Sequence, residues 1–378
     1  MEQSRAVPVK EFGEVAGVAN SGLVRTAVRR VLESPIVTGL TAPHGVDRYL
    51  GMVNPLWSVR EIRAVVVRVA HHTPDTVTLT LRPNANWTGA RAGQHVRLTV
   101  AVGGVLRTRF FSVASAEGSA DVEITAKVNR AVSRHLKEHA RPGMVVTLSP
   151  AEGEFVLPDV LPARLLLISG GSGITPVMSI LRTLTARAHD SRITFLHYAF
   201  TPRDVVYADE LAAIAAADSR VTLRIAYTEA PGAGALDGLF RREHLAGADH
   251  AAALTYVCGP APLMDAVADL WAADGLADRL LAERFVPVTV PSADAVGEVR
   301  FRRSGVRAAN DGRSLLEQAE AAGLSPEYGC RMGVCHTCTT VKAGGAVRNT
   351  LTGAVSAEPG ERVQLCVTTA CGDVELDI

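Results

Sequence analysis

Cys330-Arg331-Met332-Gly333-Val334-Cys335-His336-Thr337-Cys338, completed downstream by Cys366, is the stretch from which the rest of the chain is read. A C-x4-C-x2-C run with a distant fourth cysteine is the spacing of plant-type 2Fe–2S clusters. Four thiolates are needed to hold two irons, which makes Cys330, Cys335, Cys338 and Cys366 the expected ligands. Gly329 and Gly333 fall where a tight loop must turn backbone N–H groups toward the sulfurs. Two other readings compete. Structural zinc sites favour paired C-x2-C units, and disulfide frameworks belong to small secreted chains. A cluster passes single electrons, so the remaining residues should show where those electrons originate.

Bulk composition narrows the field. With 378 residues the chain is long enough for two or three domains with ordinary cores. Hydrophobic residues at 47% and charged residues at 21% exclude a disordered chain. A formal net charge of zero gives no reason to expect nucleic acid or an anionic membrane as the main partner. No apolar h-region comes after Met1-Glu2-Gln3-Ser4-Arg5, and no run nears the roughly eighteen apolar residues of a membrane span. Cys258 and Cys371 are the two cysteines outside the cluster set, a usage that suits a reducing cytoplasm.

In chain order, Leu23, Ala27, Val28, Val31 and Leu32 share one helical face, the pattern of a helix packed on the adjoining domain or docked to a membrane-bound partner. Pro43 to Leu50 then leads through Pro55 and Trp57 into the first strand. From about 58 to 160, short β-branched strands separated by turns predict an antiparallel barrel: 61–69, 76–81, 95–102, 105–113, 122–127 and 144–148, with a helix near 131–139. From about 161 to 286 the rhythm becomes strand, helix, strand (164–169, 176–186, 193–199, 221–227, 254–258), which predicts a doubly wound parallel sheet. Two prolines, Pro287 and Pro291, mark a linker. Strands near 297–309 and a helix from Ser314 to Ala322 then precede the cysteine loop.

Four motifs carry further chemistry. Arg109-Phe110-Phe111-Ser112 ends a barrel strand. A flavin needs a cation for its phosphates, a flat ring for its isoalloxazine and a hydroxyl for its reactive nitrogen. An Arg-x-aromatic-Ser tetrad on one strand would supply all three, alternate side chains facing the same way. Taken alone, an arginine, two aromatics and a serine on a strand are more commonly just core and surface. Arg130-Ala131-Val132-Ser133 opens the short helix, whose free N–H groups suit a phosphate, although serine at a helix start is commonly a simple cap. Gly170-Gly171-Ser172-Gly173-Ile174-Thr175-Pro176 joins a buried strand to a helix, the context in which glycines let a pyrophosphate approach. Cys258-Gly259-Pro260 ends a later strand of the same sheet, placing Cys258 beside a nicotinamide or leaving it a structural cysteine.

Taken in order, these motifs resemble the ferredoxin–NADP reductase superfamily across residues 58–378, and more narrowly the single-chain oxygenase and desaturase reductases. The resemblance implies a multidomain chain: an N-terminal extension (1–57), an antiparallel flavin-binding β-barrel (58–160), an α/β doubly wound NAD(P)-binding domain (161–288) and a C-terminal β-grasp plant-type ferredoxin domain (289–378). By resemblance, Arg109, Phe111, Ser112, Val132 and Ser133 bind the flavin, which is FAD with FMN as the alternative. Gly170, Gly171, Gly173, Thr175, Cys258, Gly259 and Pro260 bind the pyridine nucleotide, and Glu283-Arg284-Phe285 closes the nucleotide domain near the flavin. Ser112, Thr175 and Cys258 are the implied catalytic residues. Phe111 replaces the family's usual Tyr and Arg130 its usual Gly.

Arg203, after the strand that should end near the adenosine ribose, can pair with a 2′-phosphate, which favours NADPH over NADH. The cluster, at about −400 mV, would hand electrons on across a rim of Arg331, Met332 and Gly333. The segment from His44 to Leu50 and Trp57 are similar to reductases that serve membrane stearoyl-CoA desaturases. That makes a fatty-acyl desaturase the expected acceptor, reached by a cytoplasmic protein with peripheral contact at the inner face of the membrane. A soluble ring-hydroxylating or di-iron oxygenase is the alternative, and a redox-sensing module is an alternative of another class.

Overall fold

The computed structural model describes residues 30, 32, 34–41, 45–128, 131–187, 190–285, 296–328, 333, 336–350 and 353–378. The chain forms two compact units, Met1–Glu61 and Ile62–Ile378. In the first, α1 (Pro35–Leu40) starts at Ser34, whose Oγ accepts from the Val37 N–H. Helix α2 (Val46–Val53) starts after Gly45, where the sequence suggests only a lead-in to the first strand. The Asp47 carboxylate ties α2 to the segment beyond it, accepting from Ser58 Oγ at 2.9 Å and the Val59 N–H at 2.6 Å. Of the apolar face read through Leu23, Ala27, Val28, Val31 and Leu32, all but Leu32 lies outside the described residues.

Period-two alternation builds the first sheet of the larger unit. Strands β1 (Ile62–Ala70), β2 (Thr76–Pro83), β3 (His95–Val102), β4 (Val105–Ser112), β5 (Val122–Lys127) and β6 (Val145–Leu148) pair antiparallel in the order β4-β3-β6-β1-β2-β5. Beyond β4, Val113 bridges Ile124 of β5, so the two edges meet and the sheet curls toward a barrel. Inward residues such as Ala64, Val66, Leu79, Leu98 and Ile124 fill it, and α3 (Ala131–His139) adds Val132 and Leu136 to the same core.

The second sheet reads differently because its strands are buried on both faces. Strands β7 (Arg164–Gly170), β8 (Arg192–Ala199), β9 (Val221–Tyr227), β10 (Leu236–Asp237), β11 (Leu254–Cys258) and β12 (Leu280–Glu283) run parallel throughout, in the order β10-β9-β8-β7-β11-β12. Along β7, Leu165 and Leu167 enter a core shared with α4 (Ile174–Ala186) and α5 (Ala208–Ala217). Leu166 and Ile168 enter the opposite one, with Leu263, Met264, Val267 and Trp271 of α6 (Ala261–Ala273).

The third sheet is mixed, β14-β13-β18-β15-β16 with β17 paired to β15; β13 and β18 run parallel and the other pairs antiparallel. Its strands are β13 (Glu298–Phe301), β14 (Val306–Ala309), β15 (Thr339–Asn349), β16 (Val355–Ser356), β17 (Glu361–Gln364) and β18 (Thr368–Leu376). Helix α7 (Leu315–Ala321) begins in a capping box between Ser314 and Glu317 and lays Leu315, Leu316 and Ala319 on the sheet.

Candidate functional site

The order of the parallel sheet reverses between β7 and β11, and ligands bind outside the carboxyl ends of the strands at such a point. Both glycine-bearing turns lie there. Gly170 ends β7, Gly171–Gly173 form a 3₁₀ turn, and α4 begins at Ile174, two residues earlier than the sequence predicts. Cys258 ends β11, with Gly259 and Pro260 next in the chain. The turns touch: a Cβ on Gly173 would stand 2.3 Å from the Cys258 carbonyl oxygen, and one on Gly170 would stand 2.9 Å from Pro260 Cδ. At Gly173 glycine is required by contact between two backbones, and both turns stand at the mouth of the sheet. Thr175 is buried, and its Oγ1 donates to the Ser172 carbonyl at 3.1 Å, bracing the turn.

One face of α4 is riveted to the barrel. Ser179 Oγ donates to the Ser115 carbonyl (2.7 Å), the Glu117 N–H donates to Thr183 Oγ1 (2.8 Å), and Arg187 pairs with Glu117 (2.7 Å). At the centre of this face Arg182 bonds Glu123 of β5 (2.7 Å) and Glu210 of α5 (2.6 Å), and stacks on the Tyr207 ring at 4.7 Å. Burial works against the Arg182 charge, but the bonds to Glu210 and the field of Glu123 outweigh it and raise its pKa. The helix rooted in the Gly-rich turn is therefore fixed to the sheet that carries Arg109 and Ser112.

On β4, successive side chains point to opposite faces, so Arg109 and Phe111 share one side while Phe110 and Ser112 share the other. The expectation that a single face offers cation, ring and hydroxyl is corrected: Phe111 packs on the barrel core, whereas Phe110 lies 5.3 Å from the His95 ring. His95 faces Ser112 across the β3–β4 ladder, and its Nδ1 lies 3.2 Å from Glu283 Oε1 at the end of β12. Among the described residues, Ser112 Oγ and Glu283 Oε2 are buried without a hydrogen-bond partner. Leaving such groups unmet costs about 1–3 kcal/mol each. Two orphaned polar atoms flanking one imidazole fit a ligand that brings its own donors and acceptors. Cys258, fully buried, pairs in register with Glu283; burial first and the Glu283 charge second push its thiol well above the ordinary range. His95 escapes a reading of the sequence, where nothing local distinguishes it.

The other expected site residues are spread over the three sheets. Val132 and Ser133 are buried in the first turn of α3, while Arg130 lies outside the described residues. Arg203 is exposed in a turn beyond β8, where Thr201 and Asp204 cap one another. Phe285, beyond β12, is exposed. Cys338 and Cys366 are both buried in the core of the third sheet, and the Leu365 N–H donates to the Cys338 carbonyl at 3.1 Å. Gly333 adopts the left-handed conformation the loop reading requires (φ 78°), with its carbonyl held by Gln364 Nε2 at 2.7 Å. Cys330 and Cys335, with Arg331 and Met332, lie outside the described residues.

Comparison with known proteins supplies the frame for this geometry. Residues 167–269 match the oxidoreductase NAD-binding domain and residues 299–371 the 2Fe-2S iron-sulfur cluster binding domain. An NADPH oxidoreductase of Mycobacterium tuberculosis is 38% identical over 351 residues, covering 91% of each chain. A glycine betaine monooxygenase reductase subunit of Pseudomonas aeruginosa is 28% identical, covering 76% of this chain and 87% of its own. The solved structure of phthalate dioxygenase reductase, 23% identical, shares the fold with a TM-score of 0.55 over 84% of this chain and 98% of its own. A polar cradle at the sheet's switch point, a barrel clamped to it and a cysteine-bearing third sheet thus come with relatives of matching length, and the chain belongs to the ferredoxin–NADP reductase superfamily as an NAD(P)H-dependent oxidoreductase that combines flavin, nucleotide and 2Fe–2S binding.

Proposed function

We propose that this chain draws electrons from NADPH and delivers them, through FAD and a 2Fe–2S cluster, to the oxygenase component of a ring-hydroxylating or di-iron oxygenase. The observation that carries this reading is the extent of the likeness to a monooxygenase reductase subunit, which covers 76% of this chain and 87% of its own. The units assigned to flavin, nucleotide and cluster are 58–160, 161–288 and 289–378.

Bound flavin accepts electrons in pairs and releases them singly, which is the chemistry the protein itself cannot supply. The chain's own residues bind and orient. Arg109 and the α3 start at Val132 and Ser133 would hold flavin phosphates, Phe111 would back the site from the barrel core, and Ser112 Oγ, on the other face of β4, would meet a ring nitrogen. Gly170, Gly171 and Gly173 would cradle the nucleotide pyrophosphate, with Thr175, Cys258, Gly259 and Pro260 around the nicotinamide and Phe285 covering the flavin. Cys258, fully buried at the end of β11, would shape the pocket. Cys330, Cys335, Cys338 and Cys366 would ligate the irons. Arg203, exposed and without a side-chain partner among the described residues, would pair with the 2′-phosphate of NADPH.

A fatty-acyl (stearoyl-CoA) desaturase is the second reading, supported by the smaller unit, where Tyr49, Met52 and Val53 of α2, and Trp57 beyond it, are exposed. Such an acceptor implies peripheral contact with a membrane; among the described residues no helix is long and apolar enough to cross one. The redox-sensing module is set aside by the family assignment.

Anaerobic purification should give flavin and 2Fe–2S absorption bleached by NADPH, and turnover when the protein is added to a soluble oxygenase. A colourless or zinc-containing protein would overturn the reading, and stimulation of desaturase membranes alone would install the second. Arg203→Ala should raise KM for NADPH about tenfold, as loss of an exposed charged hydrogen bond does, and leave KM for NADH within about twofold. Equal effects on both would remove the coenzyme argument.

A further inference from the structure

Tyr328 belongs to no motif, yet it touches two of the sites described above. Its ring packs against the third-sheet core that contains Cys338 and Cys366, and in sequence it stands just before Gly329 and Cys330. From the other side, the guanidinium carbon of Arg109 lies over the ring, 5.0 Å from its centroid, and Arg109 Nη1 donates to the Tyr328 carbonyl at 3.4 Å. One aromatic residue therefore joins the barrel strand that carries Ser112 to the sheet that carries two of the expected iron ligands.

We propose that Tyr328 is a positioning residue that seats the cluster-binding sheet on the flavin-binding strand by stacking under Arg109. The inference rests on the reading of Arg109 as a flavin-phosphate ligand, and deepens it. Stacking uses the flat face of the guanidinium and consumes none of its five N–H donors. Arg109 already spends Nη1 on the carbonyls of Thr108 and Tyr328. A planar fork can lie on a ring and still present N–H groups edge-on, which a lysine could not do while stacked. A phosphate held by Arg109 would in turn fix the guanidinium over the ring. Loading of the flavin site and seating of the cluster are thereby coupled through one side chain.

The test uses the full-length holoprotein and the variants Tyr328→Leu and Tyr328→Phe. Leucine keeps apolar bulk for the core but offers no ring; phenylalanine keeps the ring. Two readouts are needed: stopped-flow rates of flavin and of cluster reduction by NADPH, and backbone hydrogen exchange of β4 and of Glu327 and Tyr328 without nucleotide. In Tyr328→Leu, iron content and flavin reduction should match wild type, cluster reduction should slow by about five- to thirtyfold, the scale of a cation–π contact between exposed and desolvated, and exchange should rise on both segments. Tyr328→Phe should behave as wild type in both. Unchanged cluster reduction and exchange in Tyr328→Leu would overturn the proposal. So would loss of iron with β4 exchange unchanged, since the ring would then serve the cluster fold and not the seat. Failure of the functional reading is distinguishable: wild type would then show no NADPH-driven bleaching, while exchange would still report the contact.

Discussion

The barrel meets its two neighbours through contacts of very different construction. Toward the parallel sheet, α4 presents Ser179, Arg182, Thr183 and Arg187 in helical register, with a buried guanidinium shared between Glu123 and Glu210. Toward the cysteine-bearing sheet, the Arg109 guanidinium lies on the ring of Tyr328 and donates to its carbonyl at 3.4 Å. Contact transfer between a nicotinamide and a flavin depends on placement at the scale of an ångström, so the nucleotide side warrants directional, buried bonds. Electron passage to a cluster does not require the two centres to touch, and a softer contact serves it. If this contrast holds, damage to the α4 seam should appear as lost stability, and damage at Tyr328 as a slowed handover.

The harshest way to break the comparison is Arg182→Met. Both Arg182 and Glu123 are largely buried, at 16% and 11% side-chain exposure. Methionine would leave the Glu123 carboxylate with Arg68 at 3.4 Å as its remaining ion pair among the described residues. Removing one member of a buried pair costs about 3–5 kcal/mol, because the surviving charge stays desolvated. Thermal unfolding should show a fall of that order, together with slower flavin reduction by NADPH. A variant of wild-type stability would mean that the α4 seam is no firmer than the Tyr328 contact.

A second effect, somewhat smaller, belongs to the sheet face that α4 covers. His197 on β8 is fully buried between Phe195 and Ala199 of that core, and its Nδ1 lies 2.9 Å from Ser169 Oγ. Burial lowers its pKa from 6.5 to about 4. Between those values the unfolded chain binds a proton that the folded chain refuses, so stability falls as pH drops from 6.5 and stops falling below about 4. The loss should be on the order of 3 kcal/mol. Denaturant titrations across that range check it, and His197→Gln should flatten the slope. A slope unchanged in the variant would assign the acid sensitivity elsewhere.

Much of this architecture is legible in the sequence, because the relevant signals are local. Strands 95–102, 122–127, 221–227 and 254–258 have the bounds that the sequence predicts, their branched residues being framed by turn formers. The Gly170–Thr175 turn announces itself because strand, glycines and helix are contiguous. What escapes has no local signal. β12 is Leu-Leu-Ala-Glu, without a β-branched residue, and β10 is two residues long. Helix α2 starts after Gly45 without a side-chain cap. The pairs that join the three sheets, Arg182 with Glu123, His95 with Glu283 and Arg109 with Tyr328, are separated by 59, 188 and 219 residues. No periodicity links positions so far apart; only the folded sheets bring them together.

The gentlest probe is Ser179→Ala. Ser179 is fully buried, and its Oγ donates to the Ser115 carbonyl at 2.7 Å while accepting the Gly93 N–H at 3.4 Å. Alanine leaves both backbone groups in place without that partner, which should cost about 1–2 kcal/mol and lower the melting temperature by a few degrees. Its value lies in combination. Ser179 and Tyr328 share no partner among the described residues, so if the seams are independent, the stability losses of Ser179→Ala and Tyr328→Leu should add to within about 0.5 kcal/mol. The slowing of cluster reduction should also be the same in the double variant as in Tyr328→Leu alone. A clear departure from additivity would mean that the barrel transmits strain between its two neighbours. The firm seam and the soft one would then be parts of a single coupled device.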